Sequence, residues 1–422
     1  MWIKGGTIID PANGIEQVGD IHIREGLIAG VYLTGCAETD DEVIDASGLW
    51  VLPGLIDMHV HLREPGYEYK EDIASGSRAA ASGGVTTVVC MPNTDPVNDN
   101  PSVTRYIVEK ARHTAVIRVL PAGAITRGLK GADLSEMGLM KAAGIVAVTD
   151  DGKSVEDSSV MRRAMEYAAT FGLPVISHCQ DRSLSASGVM NEGDLSSRLG
   201  LGGIPGIAED IVISRDVLLA QYTGIPIHIT HVSTASGLDI IRQAKQAGVR
   251  VSCDVTPHHL LLTEDRVRGY DTNAKMYPPL RSREDMLALV EGIRSGVVDC
   301  IATDHAPHAK DEKDLDFDLA PFGVIGLQTL LPGVFRLHRE YGIDFSRLLA
   351  CVTCNPARIL GIEGGTLSPG ARGDVTLFDP EALWTLTPES VLSKSTNSPF
   401  LGQEFAGKVI QTIVAGQSVY RI

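Results

Sequence analysis

Gly54-Leu-Ile-Asp57-Met-His59-Val-His61-Leu-Arg63-Glu64-Pro65 is an apolar run of strand length, opened by glycine and closed by proline, with a polar side chain at every second position from Asp57. In a strand that spacing puts Asp57, His59, His61 and Arg63 on one face. Imidazoles at i and i+2 can grip one metal ion from a rigid strand. Taken alone, the His-x-His pair is as often structural as functional, so its meaning depends on what surrounds it.

Outward from this run, short β-branched-rich segments recur at Val85 to Met91, Ile117 to Ala122, Ile145 to Thr149, Pro174 to His178, Pro226 to His231, Arg250 to Asp254 and Asp299 to Asp304. With 54–61 they make eight, and segments of helical periodicity such as Val155 to Phe171 and Thr234 to Ala247 lie between them. Gly172 and Gly248 stand where helices prefer to end. Eight βα units in about 300 residues predict an α/β fold, a (β/α)8 TIM barrel with reactive groups at its C-terminal strand ends; an open doubly wound sheet is the rival. Neither a phosphate-binding G-x-x-x-x-G-K-[ST] nor a strand-adjacent G-x-G-x-x-G is present. The two ends differ from this middle. Gly6 to Asp10, Asp20 to Arg24 and Leu27 to Val31 read as strands, as do Asp374 to Phe378, Val409 to Val414 and Ser418 to Tyr420. Residues 1–52 plus 366–422 are therefore expected to form a small composite β-sandwich, and 53–365 the barrel.

The 422 residues are 44% hydrophobic and 21% charged, the composition of a folded globular protein. Thirty-seven Lys plus Arg against 53 Asp plus Glu give a net charge of −16, the wrong sign for neutralising phosphates, so nucleic acid and anionic membranes are not expected partners. An anionic ligand would need a few Arg or His to make a locally positive pocket. Seven scattered Cys read as reduced thiols; no secretory segment and no run approaching ~18 apolar residues appears, and a cytoplasmic setting is expected.

Three more strand ends carry polar residues: His178, His231, and Asp304 in Ile301-Ala-Thr-Asp-His-Ala-Pro-His308. Each alone reads more simply as a satisfied buried group or helix cap. Together four His and one Asp converge on one barrel mouth, which packing alone explains poorly, because a core loses solvation free energy for every polar group. The fourth strand ends Val148-Thr-Asp150-Asp151-Gly152-Lys153, where Asp151 offers two oxygens able to bridge metals; a solvated Asp-Gly turn, or Lys153 as the bridge, are the other readings.

This constellation resembles the amidohydrolase superfamily. The motifs Asp57-Met-His-Val-His-Leu-Arg-Glu-Pro-Gly66, Met91-Pro-Asn-Thr94, Thr149-Asp-Asp-Gly152, Asp254-Val-Thr-Pro-His-His259, Asp304-His-Ala-Pro-His308 and Ala320-Pro-Phe-Gly323 resemble, more closely, the class I bacterial dihydroorotases. The resemblance implies one or two Zn2+ per subunit held by His59, His61, Asp151, His178, His231 and Asp304. It implies reversible hydrolysis of dihydroorotate to N-carbamoyl-aspartate in pyrimidine synthesis, with a metal-activated hydroxide as nucleophile and Asp304 as catalytic base and acid. Arg63, a planar fork suited to a carboxylate, is expected to bind the small anionic substrate with His61, Asn93, Tyr277, His308, Phe322 and Gly323. The plainer readings are an ion pair with Glu64 or Glu68 for Arg63, a turn for Asn93, and packing for Phe322.

One position departs from the family: Tyr277, in Lys275-Met-Tyr-Pro-Pro-Leu-Arg281, stands where Asn is normal, bringing a bulkier hydroxyl donor in place of a carboxamide. Residues 309–319 read as a polar lid or as plain solvated surface, with no catalytic group. A homo-oligomer is expected, and aspartate transcarbamoylase is a candidate partner. Two other functions remain open: a hydantoinase, dihydropyrimidinase or allantoinase acting on another cyclic amide, and a non-catalytic scaffold subunit for the transcarbamoylase.

Overall fold

The computed structural model describes residues 1–33 and 41–422; Cys36 lies outside them. Near the N-terminus run β1 (Trp2–Asp10), β2 (Ile15–Arg24), β3 (Leu27–Tyr32), β4 (Val43–Asp45) and β5 (Trp50–Pro53). The barrel strands follow as β6 (Leu55–Val60), β7 (Val85–Cys90), β8 (Arg118–Gly123), β9 (Ala147–Val148) and β10 (Val175–Ser177). A two-stranded ladder, β11 (Met190–Asn191) and β12 (Gly203–Ile204), interrupts them before β13 (Ile227–Ile229), β14 (Val251–Val255) and β15 (Cys300–Ile301). The chain ends with β16 (Val375–Thr385), β17 (Glu404–Val414) and β18 (Gln417–Arg421).

Eight parallel strands run in the order β6-β7-β8-β9-β10-β13-β14-β15. A parallel bridge from Val60 to His305, with His61 N donating to His305 O at 2.8 Å, brings the first strand to the last and closes the ring at its mouth. Met58, Val89, Ala122, Ala147, Ile176 and Cys300 fill the interior, while a larger apolar layer lies between strands and helices. Every strand of the expected barrel is present. β9 and β15 are only two residues long; past β15 the chain turns into the polar mouth, where Thr303 N donates to the Asp57 carboxylate. Helix Ala235–Gln246 begins at Thr234, whose hydroxyl accepts from Gly237 N, and helix Ser158–Ala169 starts after Asp157, whose carboxylate accepts from Ser159 N and Val160 N.

The terminal strands form one sheet in the order β18-β17-β16-β5-β1-β2-β3, with β4 beside β1. The two ends of the chain meet where β5 pairs antiparallel with β16. This sheet has its own core, including Ile3, Ile8, Ile21, Val51, Leu377 and Ile413. Gly54 joins it to the barrel at a point so tight that a Cβ would lie 2.3 Å from Thr86 Oγ1. β4, β11 and β12 are too short to show an alternating pattern, which is why sequence periodicity passes over them.

Candidate metal centre

All the expected ligands stand at C-terminal strand ends: His59 and His61 on and after β6, Asp151 after β9, His178 after β10, His231 after β13 and Asp304 after β15. Three non-glycine residues here have left-handed backbones, Arg63 at φ +61°, His231 at +40° and Asp304 at +47°. Such conformations cost about 1–3 kcal/mol each and persist where surrounding bonds over-determine them. Asp57 supplies one such restraint: its carboxylate accepts from His59 N (3.2 Å), Thr303 N (3.1 Å) and Thr303 Oγ1 (2.5 Å), tying the first strand to the last.

Asp151 lies at the centre. Its Oδ1 is 3.2 Å from His59 Nε2, 3.5 Å from His178 Nδ1 and 3.5 Å from His231 Nε2, and its Oδ2 is 3.4 Å from His61 Nε2. Asp304 Oδ1 faces His61 Nε2 at 3.0 Å and His59 Nε2 at 3.5 Å. Two donor groups result, His59/His61/Asp151 and Asp151/His178/His231, sharing Asp151. All six side chains are buried.

The electrostatics fit a cation. Burial alone would push the Asp151 carboxyl up, but the charge of His59 and hydrogen bonds from His178 and His231 hold it well below the usual carboxylate range. Asp304 shows the same contest, burial against His59 and His61, and settles at about 2. Burial opposes a charge on His59, yet Asp151 and Asp304 lift it to about 10. Two buried carboxylates thus demand positive charge. His178 Nε2 is buried without a hydrogen-bond partner, an arrangement that is costly unless something else binds there. Nitrogen and carboxylate donors 3.2–3.5 Å apart can both reach one ion at the ~2.0–2.2 Å of zinc bonds, and a His4Asp2 set suits zinc. The residues fit a divalent metal.

Beside this cluster opens a cavity of about 980 Å³, lined by His61, Asp151, His178 and Asp304 on its floor and by Arg63, Asn93, Tyr277, His308, Phe322 and Gly323 on its walls. Residues 48–236 match the Dihydro-orotase-like family model. The chain is 54% identical over 421 residues to the dihydroorotase of Geobacter metallireducens, covering 100% of this chain and 99% of that one. It is 52% identical over 420 residues to the dihydroorotase of Syntrophotalea carbinolica, with the same coverage. The chain belongs to the dihydroorotase family. Two solved structures share the fold at 24% identity: the L-hydantoinase (dihydropyrimidinase) of Arthrobacter aurescens, with a TM-score of 0.90 covering 100% of this chain and 96% of that chain, and the dihydropyrimidinase of Brevibacillus agri, with 0.87, 100% and 95%. The expected class of enzyme, a cyclic-amide hydrolase of the dihydroorotase kind, stands.

In this dihydroorotase-family site, Arg63 Nε donates to Pro307 O (3.1 Å), and Nη2 lies 3.3 Å from His308 Nε2. Burial, with repulsion from Arg63, Lys70 and Lys313, brings His308 down to about 3, so its ring is neutral. Its shortest contact, Nε2 to Phe322 O at 2.8 Å, assigns the proton to Nε2. His308 Nε2 is then spent as a donor, and the Arg63 Nη groups keep their hydrogens for the cavity. Asn93 lines the cavity as expected of its position, and its Oδ1 lies 2.9 Å from His61 Nδ1. Tyr277 lines the cavity, but its hydroxyl lies 2.9 Å from Ser185 Oγ and its ring stacks on His178 at 5.4 Å. Lys153 is exposed, whereas the Asp151 oxygens lie within 3.5 Å of all four histidines.

Sequence reasoning missed the supports beneath the ligands. Thr230 Oγ1 lies 2.8 Å from His59 Nδ1 and donates to Asp254 Oδ2 (2.9 Å), while Asp254 Oδ1 accepts from His231 N (2.7 Å). His228 closes the network, Nε2 2.8 Å from Asp254 Oδ2. Arg281 braces the strand end after His231 by donating to Ser233 Oγ (3.0 Å) and facing buried Glu209 at 3.5 Å. The motifs containing Asp254 and Arg281 were visible in sequence, but nothing in spacing assigned them these partners. Within residues 309–319, Lys313 and Phe317 are turned inward while seven others are exposed.

Proposed function

We propose that this chain is a zinc-dependent dihydroorotase that hydrolyses dihydroorotate reversibly to N-carbamoyl-aspartate in pyrimidine synthesis. The observation that carries the reading is Asp151, one buried carboxylate shared by two histidine pairs beside a cavity containing Arg63. The names of relatives with 54% and 52% identity support the substrate.

When bound, one or two zinc ions would polarise the ring carbonyl and bring a water's pKa toward ~7. Held by His59, His61, Asp151, His178, His231 and Asp304, they would leave the chain's own groups the following work. Arg63 pairs bidentately with the substrate carboxylate, the Asn93 amide nitrogen assists, and the Phe322–Gly323 wall with His61, Tyr277 and His308 confines the ring. Asp304, ionised at working pH, accepts a proton from the attacking water and delivers it to the ring nitrogen as the C–N bond breaks. The water's oxygen ends in the new carboxyl group, whose remaining proton is lost to solvent to leave a carboxylate; the reverse sequence takes that proton up and closes the ring.

The same reading takes residues 1–52 plus 366–422 as a supporting β domain and 53–365 as the catalytic barrel. It includes self-association, a cytoplasmic setting and aspartate transcarbamoylase as a candidate partner. Among the described residues no helix is long and apolar enough to cross a membrane.

The test is turnover of dihydroorotate and of hydantoin by metal-replete protein, before and after chelation. The proposal expects dihydroorotate to be opened faster, activity to vanish on chelation and to return with zinc. Faster hydantoin opening, or no turnover in either direction with metal present, would overturn it.

A further inference from the structure

The charged sequence from Lys310 to Asp318 suggests solvent, yet two lysines beside it are buried, Lys313 at 7% exposure and Lys275 at 2%. Lys313 Nζ donates to Pro321 O (2.9 Å) and Gly323 O (3.0 Å). Lys275 Nζ donates to Phe317 O (2.6 Å) and Asp318 O (3.1 Å) and lies over the Phe322 ring at 4.7 Å. The Lys275 carbonyl accepts Gly323 N at 2.9 Å. Gly323 O also accepts from Asn397 Nδ2 at 3.0 Å. With φ at +136° and Ala306 O 2.8 Å from where a Cβ would sit, position 323 admits only glycine.

Among the described residues, Lys70, Lys110, Lys245 and Lys394 stand in salt bridges with carboxylates, whereas Lys275 and Lys313 form none. Burying an ammonium group without a counter-ion is costly. The cost shows: burial brings Lys275 down to about 8, and burial with repulsion from Lys275 brings Lys313 to about 7. Methionine would fill either space without that cost. What it could not do is aim four carbonyls of one loop and leave positive charge behind the Phe322 ring, against a cavity whose floor carries Asp151 and Asp304.

We propose that Lys275 and Lys313 form a cationic brace: they are positioning residues that hold the Pro321–Gly323 wall in place and make that wall positive toward an anionic substrate. The second part rests on the functional reading above.

Steady-state kinetics with dihydroorotate at pH 6, where both lysines carry their charge, and hydrogen exchange of residues 317–323 test it in Lys313→Met, Lys313→Gln and Lys275→Met, each zinc-loaded. For the methionine variants KM should rise about tenfold with kcat within about threefold, and the Gly323 amide should exchange faster. Lys313→Gln keeps a donor without the charge, so exchange protection should return while KM stays raised. A folded variant with unchanged KM and unchanged exchange, a loss confined to kcat, or a normal KM in Lys313→Gln would overturn the brace. If the wild-type protein does not turn over dihydroorotate, the functional reading fails separately, and exchange in the loop still decides whether the lysines hold the wall.

Discussion

Asn93 holds His61: its amide oxygen lies 2.9 Å from His61 Nδ1, on the far side of the ring from the Nε2 that faces Asp151 and Asp304. The contact fixes the ring's orientation and places the Nδ1 proton, leaving Nε2 bare for a metal. Asn93 therefore joins a metal ligand to the cavity wall through one carboxamide.

Asn93→Ala should weaken zinc binding about 10- to 100-fold, as losses of partners to metal-bound histidines do, and raise KM as well. Competition with a chromogenic chelator measures the first and steady-state kinetics the second. A normal metal affinity would mean that the contact does not orient His61.

Thr230→Val removes the hydroxyl between His59 and Asp254 at nearly constant volume. His59 Nδ1 then loses its partner in a dry site, which costs about 1–3 kcal/mol. Zinc affinity should fall by about tenfold or more while the fold persists, read from metal titration beside a thermal melt.

At position 277 the phenol hydroxyl lies 2.9 Å from Ser185 Oγ, and both residues line the cavity. Tyr277→Phe should cost about 1 kcal/mol of stability at most and leave kcat/KM within about threefold. A large loss in kcat/KM would show that the hydroxyl turns toward substrate during the reaction.

The barrel is legible because eight apolar runs alternate with helical segments and six of them end in a polar residue; His59, His61, His178, His231 and Asp304 stand out by that position, whereas the choice of Asp151 rests on the family resemblance. The contacts among them are not legible. That the Asn93 oxygen meets His61 is not legible, because sequence cannot say which end of a carboxamide is in use. The burial of Lys313 is not legible in a charged run that reads as polar lid or solvated surface; the loop carbonyls of Pro321 and Gly323 draw it inward. The outcome at Tyr277 depended on Ser185, 92 positions away, a pairing no local pattern carries.

Asp72 caps helix Ile73–Ser82 by accepting from Ser75 N at 2.7 Å, and it pairs with Lys394. Burial would raise its pKa, but Lys394 and Ser75 outweigh burial and hold it at about 2. A depressed folded-state pKa means stability present above the unfolded value of ~3.9 and lost as pH falls toward 2. Asp72→Ala should lower stability by about 1 kcal/mol at pH 7, and the gap between variant and wild type should close between pH 4 and pH 2 in denaturant melts. A gap that stays constant across that range would exclude a role for the charge.

The central claim is that these strand ends hold a cation through Asp151. Anomalous scattering at the zinc edge from crystals of zinc-loaded protein tests it most directly. The account predicts density beside Asp151, about 2.0–2.2 Å from His59 and His61, from His178 and His231, or from both pairs. Histidine rings bonded only to carboxylates and to one another, with no anomalous peak among them, would contradict it.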